Sequence, residues 1–310
     1  LTPRIDPPSS ITVESTNGNT AATDPEWIER ANSGQASYLE MFDEIIALFE
    51  ANGCSNREAF LECMTTYDFG AEYDFLKDID MTGRYYLLEG YLYPDTYDFY
   101  TGRKPEYYLG RLLDQFAKVF RQSKFFEAAE DSEYTIDQLL TIASIIEKEA
   151  YHQNDFDIVS SVIHNRLGDP ATFPYLECDS TVVYAMSCIA GERVTDITGE
   201  DLDLDDPYNS YLKEGLPPGP ICSPSYNSIA CAFDPAETDK AYYYFVSDKY
   251  GVMYYATTLK DHEKNIADIK KHNGVLIKQE HLRKTQHFVY DMNTTLEENY
   301  GTNQTDKKEI

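Results

Sequence analysis

The strongest structural signal in this sequence is an apolar helix predicted over residues 135–150. The motif TIDQ at residues 135–138 fits a capping box that would start the helix, and LLTIASIIEKEA follows it. At about 100° per residue, one stripe along this helix is formed by Leu139, Ala143, Ile146 and Ala150. Other parts of the chain must cover that stripe, so this helix is expected to lie at a packed interface.

Two carboxyl groups interrupt the apolar pattern near the end of this helix. Glu147 falls on one shoulder of the stripe and Glu149 on the other, while Lys148 points away from it. A carboxyl that lies against apolar walls has a raised pKa and can hold a proton near neutral pH, which suits a general acid acting on a sugar oxygen. Solvated carboxylates at a helix end would give the same pattern, and the periodicity does not choose between the two residues.

Local patterns elsewhere predict helices joined to a few short strands. Apolar residues at helical spacing predict helices at residues 38–53, 55–63, 105–120, 155–168, 180–188, 226–233 and 261–270, with Ser55 opening the second through a capping box. Strands are predicted at Ser10–Glu14, 242–246 and 252–257, and residues 88–100 form a tyrosine-rich loop or strand. Because these elements do not alternate as βα units, the predicted fold class is α+β, with helices packed on small antiparallel sheets.

The charge of the chain excludes several classes of partner. Asp and Glu number 54 against 26 Lys and Arg, so the formal net charge is −28. This charge repels phosphate backbones and anionic lipid, and nucleic acid is not an expected partner. The longest uncharged run, residues 215–233, contains four prolines and cannot be a membrane-spanning helix. Since the chain has neither an initial Met nor a signal-peptide pattern, we expect it to start inside a longer protein or to be a trimmed form.

Metal-binding motifs are not found in the sequence. The six cysteines show no CxxC or zinc spacing, so free and mostly buried thiols are expected, although up to three disulfides are open. An acidic segment at residues 201–212 resembles a calcium loop but has Asp206 where the loop needs Gly and Leu212 where it needs Glu. No metal site is therefore expected.

Two further segments could contribute to a site. The sequence YNSY at residues 208–211 and the sequence GLPPGPI at residues 215–221 combine rigid Pro with permissive Gly, which fixes an irregular backbone. Such a loop either braces a core or lines a cleft, and the sequence leaves both readings open. Asp179 precedes Ser180 and Thr181, a pattern typical of a helix N-cap, so a purely structural role is the simpler reading of Asp179.

Together these segments resemble the endolytic murein transglycosylases of the MltG/YceG-like family. The resemblance extends from about Leu88 to Lys271, with a weaker extension back to Tyr38. It depends on the order of seven motifs along the chain: LEGYLYPDTYDF (88–99), ASIIEKE (143–149), VIHNRL (162–167), DSTVVYA (179–185), YNSY (208–211), GLPPGPI (215–221) and YYFVSDKYG (243–251) with a following TLKDHEKN (258–265).

The resemblance implies a lyase that cuts peptidoglycan glycan strands internally, between N-acetylmuramic acid and N-acetylglucosamine. The 6-hydroxyl of the muramic acid attacks its own anomeric carbon and leaves a 1,6-anhydro ring. One glutamate performs both proton steps, and the matching position here is Glu147. A single carboxyl acting without a partner nucleophile differs from the two-carboxylate hydrolases. No metal or organic cofactor is implied.

The resemblance also implies which residues line the cleft. Candidate substrate-binding residues in the matching motifs are Glu149, Asp179, Thr181, Tyr208, Asn209, Gly215, Leu216, Pro217 and Pro218. The implied partners are peptidoglycan glycan strands and, as candidates, peptidoglycan synthases.

Family architecture suggests a division of the chain. Members have one N-terminal transmembrane anchor and a catalytic domain on the extracytoplasmic side of the cell membrane, and we expect this chain to begin after the anchor. A LysM-like subdomain often precedes the catalytic part. We therefore expect an N-terminal arm (1–34), a small helical, LysM-like subdomain (35–85), a catalytic domain (86–275) and a C-terminal helix or tail (276–310).

The sequence departs from the family pattern at three places. Ser180 stands where members usually have Pro in an Asp-Pro-Thr motif, and Ser223-Pro224-Ser225 replaces the usual Asn-Pro-Gly. Met253 stands where the strand after Gly251 often carries a His, which puts in doubt any role of an imidazole in substrate binding.

Two other functions remain open at this stage. A glycoside hydrolase could use Glu147 as the acid and Asp179 to activate water. A cell-wall binding or scaffold protein with a decayed site would keep the motifs without the activity. Product mass separates the first from a lyase, because hydrolysis adds a water molecule.

Overall fold

The computed structural model describes residues 10–14, 42–195, 197–248 and 250–273. The α-helices of this part are α1 (Phe42–Ala51), α2 (Arg57–Thr66), α3 (Pro105–Gln122), α4 (Phe125–Glu130), α5 (Ile136–Glu149), α6 (Phe156–Gly168), α7 (Asp179–Ala190), α8 (Tyr226–Phe233) and α9 (Leu259–Asn273). The strands are β1 (Ser10–Glu14), β2 (Thr96–Tyr100), β3 (Tyr244–Ser247) and β4 (Met253–Ala256). Short 3₁₀ helices lie at Phe69–Ala71, Asp74–Leu76, Gln153–Asp155 and Asp201–Asp203.

The strands form two small antiparallel sheets. β1 pairs with β2 in a register that places Ser10 opposite Tyr100, and β3 pairs with β4 with Tyr244 opposite Ala256. Helices packed with two-stranded antiparallel sheets confirm the α+β class. The strand predicted at Ser10–Glu14 is present, while the rest of the predicted arm, 1–9 and 15–34, and the predicted tail, 276–310, lie outside the described residues.

The apolar helix α5 lies in the centre of the described core. Its residues from Leu139 to Glu147 are all buried, and it packs against α6, α7 and α8. The predicted capping box is formed, because the Thr135 hydroxyl accepts from the Gln138 amide and the Gln138 side chain accepts from the Thr135 amide. The apolar run therefore specifies a helix that is surrounded by other elements.

Two predicted helix starts differ from the structure. The N-cap of α2 is Asn56, whose side chain accepts from the Ala59 amide at 2.9 Å, so the expected capping role of Ser55 is wrong. The N-cap of α7 is Cys178 without a side-chain hydrogen bond, and Asp179 is the first helical residue, so the N-cap reading of Asp179 is also wrong. Both misplacements are by one residue, within the usual uncertainty of helix ends.

The segment between the paired strands β1 and β2 contains α1 and α2. Glu89 joins this segment to the rest of the molecule: both of its carboxyl oxygens accept from the Phe42 amide at 3.2 Å, and Oε2 also accepts from the Tyr184 hydroxyl at 3.1 Å. One buried cluster extends from Phe42 to Phe245. The LysM-like assignment and the boundary at residue 85 stay predictions.

All six cysteines lie in the described part and are free thiols, as expected. Four are buried, and Cys188 and Cys231 are half-buried. Among the described helices, none combines the length and apolarity that a bilayer crossing requires.

Candidate active site at the end of the central helix

Glu147 lies in the last turn of α5 and is 3% exposed. Its carboxyl oxygen Oε2 accepts two hydrogen bonds from Ser225, one from the amide at 3.2 Å and one from the hydroxyl at 2.6 Å. Two donors from one residue hold the carboxyl in a fixed orientation. The structure thus places this glutamate in a buried, hydrogen-bonded setting rather than in solvent.

Ser225 reaches Glu147 because it forms the N-cap of α8. Its backbone is extended (φ −72°, ψ 164°) and its hydroxyl accepts from the Ser228 amide, closing the first turn of the helix. α8 packs along α5, which brings this cap to the end of the central helix. The local Ser-Pro-Ser sequence therefore brings a hydroxyl and a backbone amide within hydrogen-bonding distance of the Glu147 carboxyl.

The Gly215–Ile221 loop is attached to α5 one turn before Glu147. The Ile221 amide donates to the Ser144 hydroxyl at 3.0 Å, and the Ser144 hydroxyl donates to the Thr141 carbonyl at 2.7 Å. Gly215, Leu216 and Pro218 are half-buried and Pro217 is buried. The loop thus braces the central helix, one of the two roles that the sequence leaves open.

Two glycines allow the loop to approach its neighbours closely. A Cβ on Gly219 would lie 2.6 Å from the Arg84 guanidinium carbon. A Cβ on Gly90, which has φ +87°, would lie 2.5 Å from Pro220. Arg84 is buried and pairs with Asp137 at 2.8 Å, while its Nε donates to the Tyr86 carbonyl. This buried cation under the loop was not predicted from the sequence, because its charged partner Asp137 lies 53 residues away along the chain.

Glu149 and Asp179 form a second carboxyl cluster on the α7 side of α5. Glu149 Oε1 accepts from the Ser180 hydroxyl at 2.7 Å and the Ser180 amide at 3.2 Å, and Asp179 accepts from the Tyr211 hydroxyl. Burial, with repulsion from Glu149, raises the pKa of Asp179 to about 8. Burial also raises the pKa of Glu149, against the opposing hydrogen bonds from Ser180. Folding therefore favours the protonated form of Asp179.

The remaining predicted binding residues lie in a buried polar network behind this cluster. The Thr181 hydroxyl donates to the Cys178 carbonyl at 2.8 Å. The side-chain amide of Asn209 donates to the Leu202 and Leu204 carbonyls at 2.9 and 2.8 Å. Tyr208 is fully buried and its ring stacks on Tyr85. These contacts support the YNSY segment, and direct contact of the three residues with a substrate stays a prediction.

A buried ion pair connects α6 to the segment that precedes α7. Arg166 of α6 pairs with Glu177 at 2.7 Å and donates to the Tyr175 and Tyr243 carbonyls. Arg166 belongs to the VIHNRL motif, so the sequence contained a signal for it, but its partner could not be identified. Met253, the departure from the family His, is half-buried at the start of β4 opposite Ser247.

Within residues 10–14, 42–195, 197–248 and 250–273, no three His, Cys, Asp or Glu side chains converge as a metal site would require.

The sequence of the chain matches one known protein family. The model of the YceG-like family matches residues 32–268. The chain is 32% identical over 190 residues to a protein of Streptococcus pneumoniae strain D39 named endolytic murein transglycosylase, a match that covers 60% of this chain and 33% of that protein. It is 36% identical over 182 residues to a Bacillus subtilis strain 168 protein of the same name, covering 57% of this chain and 46% of that protein.

A solved structure is similar over a comparable span. The crystal structure of a YceG-like protein from Listeria monocytogenes has a TM-score of 0.63 and 31% identity, and the match covers 73% of each chain. The chain spans less than half the length of the two curated relatives.

Proposed function

The chain belongs to the YceG-like family, and on that premise we propose that it is an endolytic lytic transglycosylase of peptidoglycan. It would cleave the bond between N-acetylmuramic acid and N-acetylglucosamine within nascent glycan strands and leave a 1,6-anhydro end. Two curated relatives at 32% and 36% identity are named endolytic murein transglycosylases, which supports this activity.

Glu147 is the residue that we assign to both proton transfers. As an acid it gives its proton to the glycosidic oxygen, the C1–O bond breaks, and N-acetylglucosamine leaves with a free 4-hydroxyl. As a carboxylate it then takes the proton from the muramic acid 6-hydroxyl while O6 bonds to C1. The glutamate ends protonated, no water is consumed, and the cycle needs no second carboxyl.

The burial of Glu147 beside Ser225 is the observation that carries this proposal. A buried carboxyl at the end of a central helix, held by two donors, is preorganised for proton transfer in a water-poor setting. A glutamate with only a surface role would not need to be 3% exposed.

The hydrolase alternative is disfavoured by the state of Asp179. A hydrolase needs an ionised base to activate water, whereas the pKa of Asp179 is raised to about 8. The hydrogen bond from the Tyr211 hydroxyl opposes this rise in the pKa but does not cancel it. Asp179 and Glu149 therefore fit the role of substrate-binding groups better than that of a catalytic base.

The cellular setting that we propose follows the family architecture. The protein would be held at the cell membrane by a single N-terminal anchor, with the catalytic part on the extracytoplasmic side. Its substrate would then be newly made glycan strands, and peptidoglycan synthases would be candidate partners. Association of the full-length protein with membranes, measured by fractionation and protease accessibility of intact cells, tests this setting.

Replacing Glu147 by Gln tests the assignment of the acid. Gln keeps the size and can still accept from Ser225, but it cannot give up a proton, so cleavage of purified glycan strands is expected to fall at least about 1,000-fold. Glu62→Gln, on the exposed face of α2, is the matched control and should cleave at the wild-type rate. Undiminished cleavage by the Glu147 variant would rule out the assignment.

A further inference from the structure

We propose that Ser225 is a positioning residue that reserves Oε2 of Glu147 as a permanent acceptor, so that Oε1 is the oxygen that carries and transfers the proton. This inference rests on the proposed function, in which Glu147 is the acid and base. It adds an atom-level assignment and names a second residue on which the rate depends.

The hydrogen bonds around Ser225 define its role. The amide of Ser225 and its hydroxyl both donate to Glu147 Oε2, at 3.2 and 2.6 Å. The hydroxyl oxygen in turn accepts from the Ser228 amide at 3.4 Å. The Ser228 hydroxyl donates to the Ser225 carbonyl at 3.0 Å, which holds the cap in place.

An amide N–H can donate a hydrogen bond but cannot accept one. A proton on Oε2 would therefore point at the Ser225 amide hydrogen, and the hydroxyl could accept that proton only by giving up its present bond to Oε2. Both hydrogen bonds from described residues to the Glu147 carboxyl end on this one oxygen. The proton of the acid form accordingly belongs on Oε1.

This arrangement gives the two oxygens separate tasks. Oε1–H donates to the glycosidic oxygen as the C1–O bond breaks, and Oε1 then accepts the 6-hydroxyl proton as the O6–C1 bond forms. Oε2 keeps its two donors through both steps, so the carboxyl does not rotate between them. The hydroxyl of Ser225 supplies the shorter of the two contacts that prevent rotation.

Ser225→Gly is the sharpest test, because it removes the hydroxyl but keeps the amide. Gly is tolerated at an N-cap with little loss of stability, so the variant should fold. We expect kcat on purified glycan strands to fall about 10- to 100-fold, with KM within about two-fold of wild type, because the lost hydroxyl orients the acid and does not contact the substrate. Asn56→Gly, which removes the N-cap side chain of α2, is the matched control and should keep the wild-type kcat.

The outcomes separate this inference from the proposed function. A Ser225→Gly enzyme with wild-type kcat, in a series where Glu147→Gln is inactive, would overturn the positioning role alone. An equal loss of kcat in Ser225→Gly and Asn56→Gly would overturn it as well, since removal of any helix N-cap side chain would then explain the loss. A wild-type protein that fails to cleave, or a Glu147→Gln variant that cleaves as well as wild type, would overturn the proposed function and this inference with it.

Discussion

Asp179 and Glu149 show how one carboxyl group can change the ionisation of another that lies close to it in space. Asp179 is the first residue of α7, and Glu149 lies two residues after the proposed acid. The sequence predicted that both could line a site but gave no sign that they face each other. Their proximity depends on how α7 packs on α5, a contact between segments about 30 residues apart.

Replacing Asp179 by Asn should remove part of the pH dependence of stability. The pKa of Asp179 is raised from its ordinary 3.8 to about 8 in the folded protein, so between these values the folded state binds a proton that the unfolded state has lost. Stability therefore falls as pH rises through this window. The decline in unfolding free energy from pH 5 to pH 8, measured by urea titration, should be about 3 to 4 kcal/mol smaller in the Asn variant.

An exposed position supplies the comparison for this experiment. Asp78→Asn removes the same charge from an exposed site and should leave the pH dependence unchanged. If the unfolding free energies of wild type and Asp179→Asn change in parallel with pH, Asp179 is ionised in the folded protein. Asp179 could then act as the base of a hydrolase.

At the residue scale, periodicity found the two glutamates but could not rank them. The ranking came from the resemblance, which matched the first glutamate of ASIIEKE. The structure distinguishes them physically, because Glu147 is bound by the Ser225 cap of α8 and Glu149 by Ser180 of α7. These partners lie 78 and 31 residues away, beyond the reach of any local pattern.

At the element scale, prediction succeeded where the signal was local. The helix α8 was predicted with its observed bounds, and the capping box of α5 is formed by the residues that the sequence indicated. α4 was missed: it has only six residues and follows Lys124, which takes a left-handed conformation at φ 60°. The pairing of β1 with β2 joins segments that are far apart along the chain, so it could not be predicted.

Gly90→Ala tests the close packing between the LEGYLYP segment and the Gly215–Ile221 loop. The added Cβ would lie 2.5 Å from the rigid ring of Pro220, in addition to the cost of φ +87° for a non-glycine residue. We expect a loss of more than about 3 kcal/mol in unfolding free energy, together with lower activity, because the loop that braces α5 must shift.

Gly102→Ala measures the loss of unfolding free energy that positive φ alone causes for a non-glycine residue. Gly102 has a similar φ of +70°, but no atom lies within 4 Å of its added Cβ. Its substitution should cost only about 1 kcal/mol. Equal losses of stability at the two positions, measured by denaturant titration, would contradict close packing at Gly90.

At the scale of the whole molecule, Glu89 connects the α1–α2 segment to α7, in the part of the chain that contains the proposed acid Glu147. It is 1% exposed, and it satisfies the Phe42 amide at the start of α1 and the Tyr184 hydroxyl of α7. Burial raises the pKa of Glu89 to about 8. The order of motifs predicted the family, and the pattern of helices and strands predicted the fold class. The link through Glu89 joins residues 47 and 95 positions apart and has no local signature.

Glu89→Ala should weaken both parts of the molecule together. It leaves the Phe42 amide and the Tyr184 hydroxyl without their acceptor, so about 3 kcal/mol of unfolding free energy should be lost. Hydrogen exchange should show reduced protection in both α1 and α7, whereas the exposed Glu58→Ala should change neither. Faster exchange confined to α1 would show that the two parts are stabilised independently.

The proposed reaction is cleavage of the glycan strand without water, driven by one buried carboxyl. Incubation of purified glycan strands in heavy-oxygen water, followed by mass spectrometry of the new ends, measures this directly. We predict 1,6-anhydro ends with no label from the wild-type protein and no new ends from Glu147→Gln. Reducing ends that carry the heavy oxygen would contradict the account, because water rather than the muramic acid 6-hydroxyl would then be the attacking group.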